Sequence, residues 1–183
     1  MIASDMLAQL EHDPLARAVL VTDSRKVADS IAKELDLQLS KAVRGEIASK
    51  AAAKGATCIV TNSIAEAVEF ANSYAPEHLL LDVGKPERIL EAIRNAGSVF
   101  LGRYSSVAFG DYCSGTNHIL PTKGVASMRS SLSVYDFLKI IPYQSISEEG
   151  AVKLSRIVDI LARSEGLPAH AEAAMTRSRR MSK

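Results

Sequence analysis

Apolar and polar positions along this chain of 183 residues alternate in blocks whose period changes in a regular order. Over Ser4 to His12, Met6, Leu7 and Leu10 recur at three- and four-residue spacing among good helix formers, which predicts a helix. Ala18-Val19-Leu20-Val21-Thr22 is a short apolar run closed by Asp23-Ser24, after which Val27, Ile31 and Leu35 mark one helical face. The same succession returns with Cys58-Ile59-Val60-Thr61, then Ser63 and Glu66 at capping-box spacing, then Ile64, Val68 and Ala71. Leu79-Leu80-Leu81-Asp82-Val83, a helix around Ile89, Leu90 and Ile93, and Val99-Phe100-Leu101 continue it. Strands alternating with helices predict an α/β fold, Rossmann-like in part, with a mainly parallel sheet and flanking helices.

The period is lost between Gly102 and about Leu132, where Gly, Ser, Thr, Asn and Pro crowd a long polar connection. Connections of that length tend to carry function, so a site is expected there. Ser147 to Ser164 reads as an amphipathic helix with Glu148 and Glu149 in its first turn, and a break at Gly166-Leu167-Pro168 admits one more helix. The chain therefore divides into an α/β domain over 1–132 and a C-terminal helical extension over 133–183. The basic tail from Arg177 to Lys183 reads as a solvated end and is assigned no function.

Composition narrows the classes. An apolar fraction of 47% with 23% charged residues predicts a packed core, and 22 basic against 21 acidic residues give no reason to expect nucleic acid. Two cysteines, Cys58 and Cys113, are too few for a disulfide framework and suggest a reducing, cytoplasmic setting. Cys113 has no evident base beside it and reads as a bystander. No apolar run is long enough for a membrane span, and the first residues lack the features of a signal peptide.

Neither a glycine-rich dinucleotide fingerprint nor a Walker A sequence occurs. The four histidines instead carry the candidate chemistry. Gln9 and His12, three apart on a helix, are either one arm of a metal site or two solvated neighbours. Glu77 and His78 follow Pro76 at a helix-to-strand junction, where a rigid acid and imidazole suit proton transfer but an inert surface pair is the commoner reading of such a dipeptide. Asp111 and His118 lie seven apart in the polar connection, which is a site loop or a turn whose Asp and Asn cap their own backbone. His170 follows Glu165 across Gly166-Leu167-Pro168 and is unremarkable alone. Taken together, Gln9, His12, Asp111 and His170 form an oxygen and nitrogen donor set that suits zinc, with Glu77 and His78 to spare.

These segments form a recognisable series: Gln9-x-x-His12-Asp13-Pro14, Ala75-Pro76-Glu77-His78-Leu79, Asn95-Ala96-Gly97-Ser98-Val99-Phe100, Gly110-Asp111-Tyr112, Asn117-His118 with Leu120-Pro121-Thr122, Leu132-Ser133-Val134, and Glu165-Gly166-Leu167-x-Ala169-His170. The series resembles the histidinol dehydrogenase family over essentially the whole chain, in order. That resemblance implies oxidation of L-histidinol through the aldehyde to L-histidine, the last steps of histidine biosynthesis, with two NAD reduced in succession. It implies zinc on Gln9, His12, Asp111 and His170, an acid–base pair in Glu77 and His78, and substrate contacts from Glu165 and from the zinc ligands and His78. His118 falls in the site loop without a definite role. A homodimer is implied, in which the C-terminal tail with Glu165 and His170 completes the partner's site.

The sequence departs from the family at three points. Tyr104-Ser105-Ser106-Val107 replaces an expected Thr-Pro-Glu, and Ser127 and Ser131 stand where Arg and Gly are usual. The family's N-terminal half, which makes most NAD contacts, has no counterpart, and the expectation is that a separate chain supplies it or that the sequence is a truncated product or one part of a longer protein. No residue is assigned to NAD. A second expectation stands beside the enzyme: a non-catalytic module that binds zinc and imidazole, or assembles with another protein, as a remnant of such an enzyme.

Overall fold

The computed structural model describes residues 1–179; of the basic tail, 180–183 lie outside the described residues. The chain forms two compact units, 1–137 and 138–183.

In the first unit, α1 (Ile2–Leu10) leads to β1 (Ala18–Thr22), which is followed by α2 (Arg25–Leu39), α3 (Gly45–Gly55) and β2 (Ala56–Val60). Strands β1 and β2 pair in parallel with Ala18 opposite Ala56 and Thr22 opposite Val60. Helix α3 was not expected from the sequence, because its buried face is Ala48, Ala51 and Gly55, small residues that give a weak apolar signal. Those residues let backbones approach closely: a methyl group at Gly55 would collide with the Ala16 carbonyl. The core of this layer is Ala3, Leu10, Ala18, Leu35, Ala48 and Ala51, with Met6, Leu7, Ile31 and Leu39 packed against it. Leu10 is fully buried, so the last turn of α1 is held in one orientation.

The unit continues with α4 (Ile64–Tyr74), β3 (His78–Leu81), α5 (Pro86–Leu90), β4 (Ser98–Leu101) and a six-residue helix α6 (Val107–Tyr112). Strands β3 and β4 also pair in parallel, His78 opposite Ser98 and Leu81 opposite Leu101. The expected parallel pairing holds, but as two separate two-stranded sheets among the described residues. Ser63 caps α4 by accepting from the Glu66 amide at 3.2 Å. The capping box is completed one residue upstream of its usual place, since Glu66 Oε2 accepts from the amide of Asn62 at 2.7 Å. Ala75 ends α4 in the left-handed conformation at φ 50° and is 1% exposed. That conformation costs a non-glycine residue about 1 kcal/mol, and here it turns the chain sharply from α4 into Pro76 and β3.

The second unit is a helical hairpin of α7 (Glu148–Ser164) and α8 (Pro168–Arg179), as the periodicity predicted. Ser147 caps α7 by accepting from the Gly150 amide at 3.1 Å. The reversal is a Schellman turn: Gly166 adopts φ 75°, the Leu167 amide donates to the Ala162 carbonyl at 2.7 Å, and the Gly166 amide donates to Arg163 at 3.1 Å. Ser155, Ala162 and Ala171 are the residues the hairpin buries.

Candidate active site

Helix α1 stops at Leu10, so His12 lies just beyond the helix rather than on its face as the spacing predicted. The Gln9–His12 separation is set instead by a tight turn, in which the His12 amide donates to the Gln9 carbonyl at 3.4 Å. Gln9 is half-buried and His12 is exposed. The expected polar connection after β4 is partly helical, and Asp111 is held in α6 rather than in a loop.

His78 opens β3. Its position is fixed by the β3–β4 ladder, which begins one step earlier as the Gly97 amide donates to the Pro76 carbonyl and the Ser98 amide to the Glu77 carbonyl, each at 2.9 Å. Gly97 is needed there, since a methyl group would stand 2.6 Å from the Glu77 carbonyl oxygen. The imidazole packs against the ring of Phe100, two residues along β4, with centroids 6.0 Å apart. His78 Nε2 lies 3.7 Å from Asp111 Oδ1, with the two side chains 17% and 29% exposed. Nε2 is buried and has no hydrogen-bond partner among the described residues. An unsatisfied buried imidazole nitrogen costs roughly 1–3 kcal/mol and calls for an explanation, for which a ligand group that bonds it on arrival is sufficient. The preceding Glu77 is half-buried and stands immediately before the same strand.

Asp111 and His78 are thus brought together, and α1 is tied to α6 through a hydrogen bond from Ser106 Oγ to Asp5 Oδ1 at 2.6 Å. His118 is exposed in the loop that follows; the amide of its neighbour Asn117 donates to the Leu132 carbonyl, and Asn117 Oδ1 accepts from the Ile119 amide at 2.9 Å. A shallow cavity of about 430 Å³ lies alongside, bounded by 94–97 and 126–133, so that Gly97 lines it on one side and abuts Glu77 on the other. In the second unit, Glu165 is the C-cap of α7 and His170 sits in the first turn of α8, both exposed at the hairpin's reversal.

No three His, Cys, Asp or Glu side chains converge in metal-binding geometry among the described residues. Of the donor set expected from the sequence, Gln9, His12 and Asp111 belong to the first unit. Its fourth member, His170, belongs to the helical hairpin. The chemistry of the set, one amide oxygen, one carboxylate and two imidazoles, suits zinc.

Sequence reasoning missed three contributors to this geometry. Phe100 was an apolar strand residue, and its role emerges only from the His78 ring against it. Gly110 signals itself faintly as a glycine inside a helix, a costly choice unless something occupies its Cβ space. Asn72, a poor helix former near the end of α4, is buried; its Nδ2 donates to the Ala92 carbonyl at 2.9 Å, and its Oδ1 accepts from the Arg94 amide at 2.7 Å and the Asn95 amide at 3.2 Å. That clamp fixes the approach to β4 and so the strand on which His78 is registered.

The histidinol dehydrogenase family model matches residues 1–178. The chain belongs to the histidinol dehydrogenase family. It is 46% identical over 177 residues to the histidinol dehydrogenase of Methanopyrus kandleri, covering 96% of this chain and 41% of that protein. To the enzyme of Methanothermobacter thermautotrophicus it is 48% identical over 178 residues, covering 97% of this chain and 42% of that protein. The crystal structure of histidinol dehydrogenase from Elizabethkingia anophelis superposes with a TM-score of 0.93 at 36% identity, covering 100% of this chain and 42% of that one. The chain therefore spans about two fifths of the length of the relatives it matches. No helix among the described residues is long and apolar enough to cross a membrane.

Proposed function

We propose that this chain carries the metal-binding and acid–base face of an enzyme that oxidises L-histidinol to L-histidine through the aldehyde. The observation that carries the reading is the buried, unpartnered Nε2 of His78, held against Phe100 and 3.7 Å from Asp111. An alcohol gives up its proton to a base positioned within hydrogen-bond reach, and imidazole has the basicity for that task near neutral pH. His78 takes the hydroxyl proton of the alcohol at Nε2. Glu77 takes a proton from the water that adds to the aldehyde, so the second oxidation starts from a hydrate. Glu165 receives the cationic amine of the substrate, a charge-assisted contact.

Gln9, His12 and Asp111 would hold zinc, with His170 as fourth ligand, and zinc when bound supplies orientation of the substrate imidazole and amine. A second copy of the chain is the proposed donor of Glu165 and His170, and their joint exposure at the hairpin reversal supports this. NAD is the proposed oxidant. The described residues offer no glycine-rich cradle for its pyrophosphate, and no residue of this chain is assigned to it. The remaining length of the relatives, from a separate chain or the rest of a longer one, is the proposed source of those contacts.

The test is NAD reduction by the purified chain with L-histidinol and zinc, beside a metal determination on the same sample. Turnover that falls by about 10²–10⁴ in the His78→Asn variant supports the assignment. Stoichiometric zinc without turnover supports the non-catalytic zinc-binding module instead, and a chain that takes up no zinc overturns the ligand set.

A further inference from the structure

The hydroxyl of Ser106 is not used where the local sequence would use it. Ser106 stands at the N-cap of α6 with extended backbone, φ −62° and ψ 143°, yet makes no capping bond to its own helix. An N-cap serine hydroxyl that accepts from the first turn stabilises a helix. Here the hydroxyl instead donates to Asp5 Oδ1 at 2.6 Å, a part-buried bond between residues 101 positions apart. A hydrogen bond to a carboxylate contributes more than the forgone cap, so the tertiary use prevails.

The two ends of that bond lead to the two arms of the candidate metal site. Asp5 and Gln9 are four residues apart on α1 and share one side of the helix. Ser106 and Asp111 are the start and the penultimate turn position of α6, a helix of six residues that is too short to hold its own direction. Its orientation is set by what grips its ends: Asp5 on Ser106, and the Phe100 ring on Gly110. The far end of α1 is in turn pinned by Leu10 in the core. One hydrogen bond therefore joins the helix that carries Gln9 and leads into His12 to the helix carrying Asp111.

We propose that Asp5 and Ser106 are positioning residues for the metal site, their hydrogen bond setting the separation between the Gln9–His12 arm and Asp111. This inference rests on the ligand assignment above. Residues that orient ligands without touching the metal typically contribute at least tenfold to its affinity.

Zinc affinity of the full chain, measured by competition with a chromophoric chelator, tests it alongside apo-protein thermal unfolding. Ser106→Ala and Asp5→Ala each weaken zinc binding by about tenfold, and the double variant is no worse than either alone. Ser106→Thr, which keeps the hydroxyl, restores binding. Thr61→Val, which removes a buried hydroxyl bonded to the Ser63 carbonyl at 3.0 Å away from the site, lowers stability without moving zinc affinity. Unchanged affinity in Ser106→Ala and Asp5→Ala overturns the positioning role while leaving the ligand set intact. So does a loss that Ser106→Thr fails to restore, or one that Thr61→Val reproduces at equal loss of stability. A wild-type chain that takes up no zinc overturns the ligand assignment and this inference with it.

Discussion

Gly110 lies directly against the ring of Phe100, close enough that a methyl group there would stand 2.5 Å from Cε1 and 3.0 Å from Cζ. On its other side the same ring packs on His78, and the residue after Gly110 is Asp111, whose carboxylate faces the His78 imidazole. A single aromatic ring thus spaces the helix that carries one candidate site residue from the strand that carries another.

Gly110→Ala follows from that contact. Alanine is better than glycine inside a helix by about 1 kcal/mol, while forcing a methyl group into a filled site costs about 1–3 kcal/mol. The steric term prevails, and the variant is expected to be less stable by roughly 1 kcal/mol in urea unfolding. Paired with Phe100→Leu, which vacates the space, the alanine is expected to lose less than the sum of the two single changes. An additive result would show that ring and helix are not in contact.

Gly97→Ala meets a harder obstacle, because its neighbour is the Glu77 backbone carbonyl and not a side chain that can turn aside. The ladder that registers His78 begins with the bond from the Gly97 amide to Pro76. The substitution is expected to destabilise by about 2 kcal/mol or more and to reduce turnover at least as strongly as stability. A displacement of about 1 Å in a positioned group can cost on the order of a hundredfold in rate. Unfolding midpoints beside initial rates under folded conditions check both effects.

Asn72→Ala removes a buried amide that bonds three backbone groups between 92 and 95. Leaving those groups unpaired costs about 1–3 kcal/mol each at most, and partial access to water brings the expected total to about 2–4 kcal/mol. Asn72→Asp keeps the two acceptor bonds from the Arg94 and Asn95 amides and is expected to lose less. Denaturant midpoints for the two variants, compared at equal slope, decide the matter.

The Cys58 thiol, on an exposed position of β2, has its pKa raised, chiefly by partial desolvation, with Arg25 opposing the shift and Asp29 adding to it. A folded-state pKa above the unfolded value means the folded chain holds this proton more tightly. The associated stability is fully present below the ordinary thiol range of about 8.5 and is lost as pH rises through the folded value. Alkylation of Cys58 at pH 8 is expected to be slower than that of a thiol in an unfolded peptide, and to accelerate steeply in the alkaline range. Equal rates at pH 8 would contradict the shift.

Elements whose apolar residues are large and periodic could be read directly from the chain. Strands β1 to β4, the amphipathic α7 and the break before α8 were all legible, because Val, Ile and Leu at period two or 3.6 leave few alternatives. The capping signal at Ser63 was equally plain, since an N-cap acts through neighbours three residues away. The family was legible too, because short motifs fix residue types at fixed spacing.

Tertiary structure decided the rest. Helix α3 packs through alanine and glycine, whose burial depends on what approaches them and leaves no strong pattern in the sequence. His12 fell past the end of its helix because a tight turn took over where the buried Leu10 closed the last turn. The spacing of His78 from Asp111, the wedge of Phe100 and the bond from Ser106 to Asp5 join residues distant in the chain. Sequence names such residues, but only packing sets the distances between them, since each distance is fixed by side chains from other elements that fill the space.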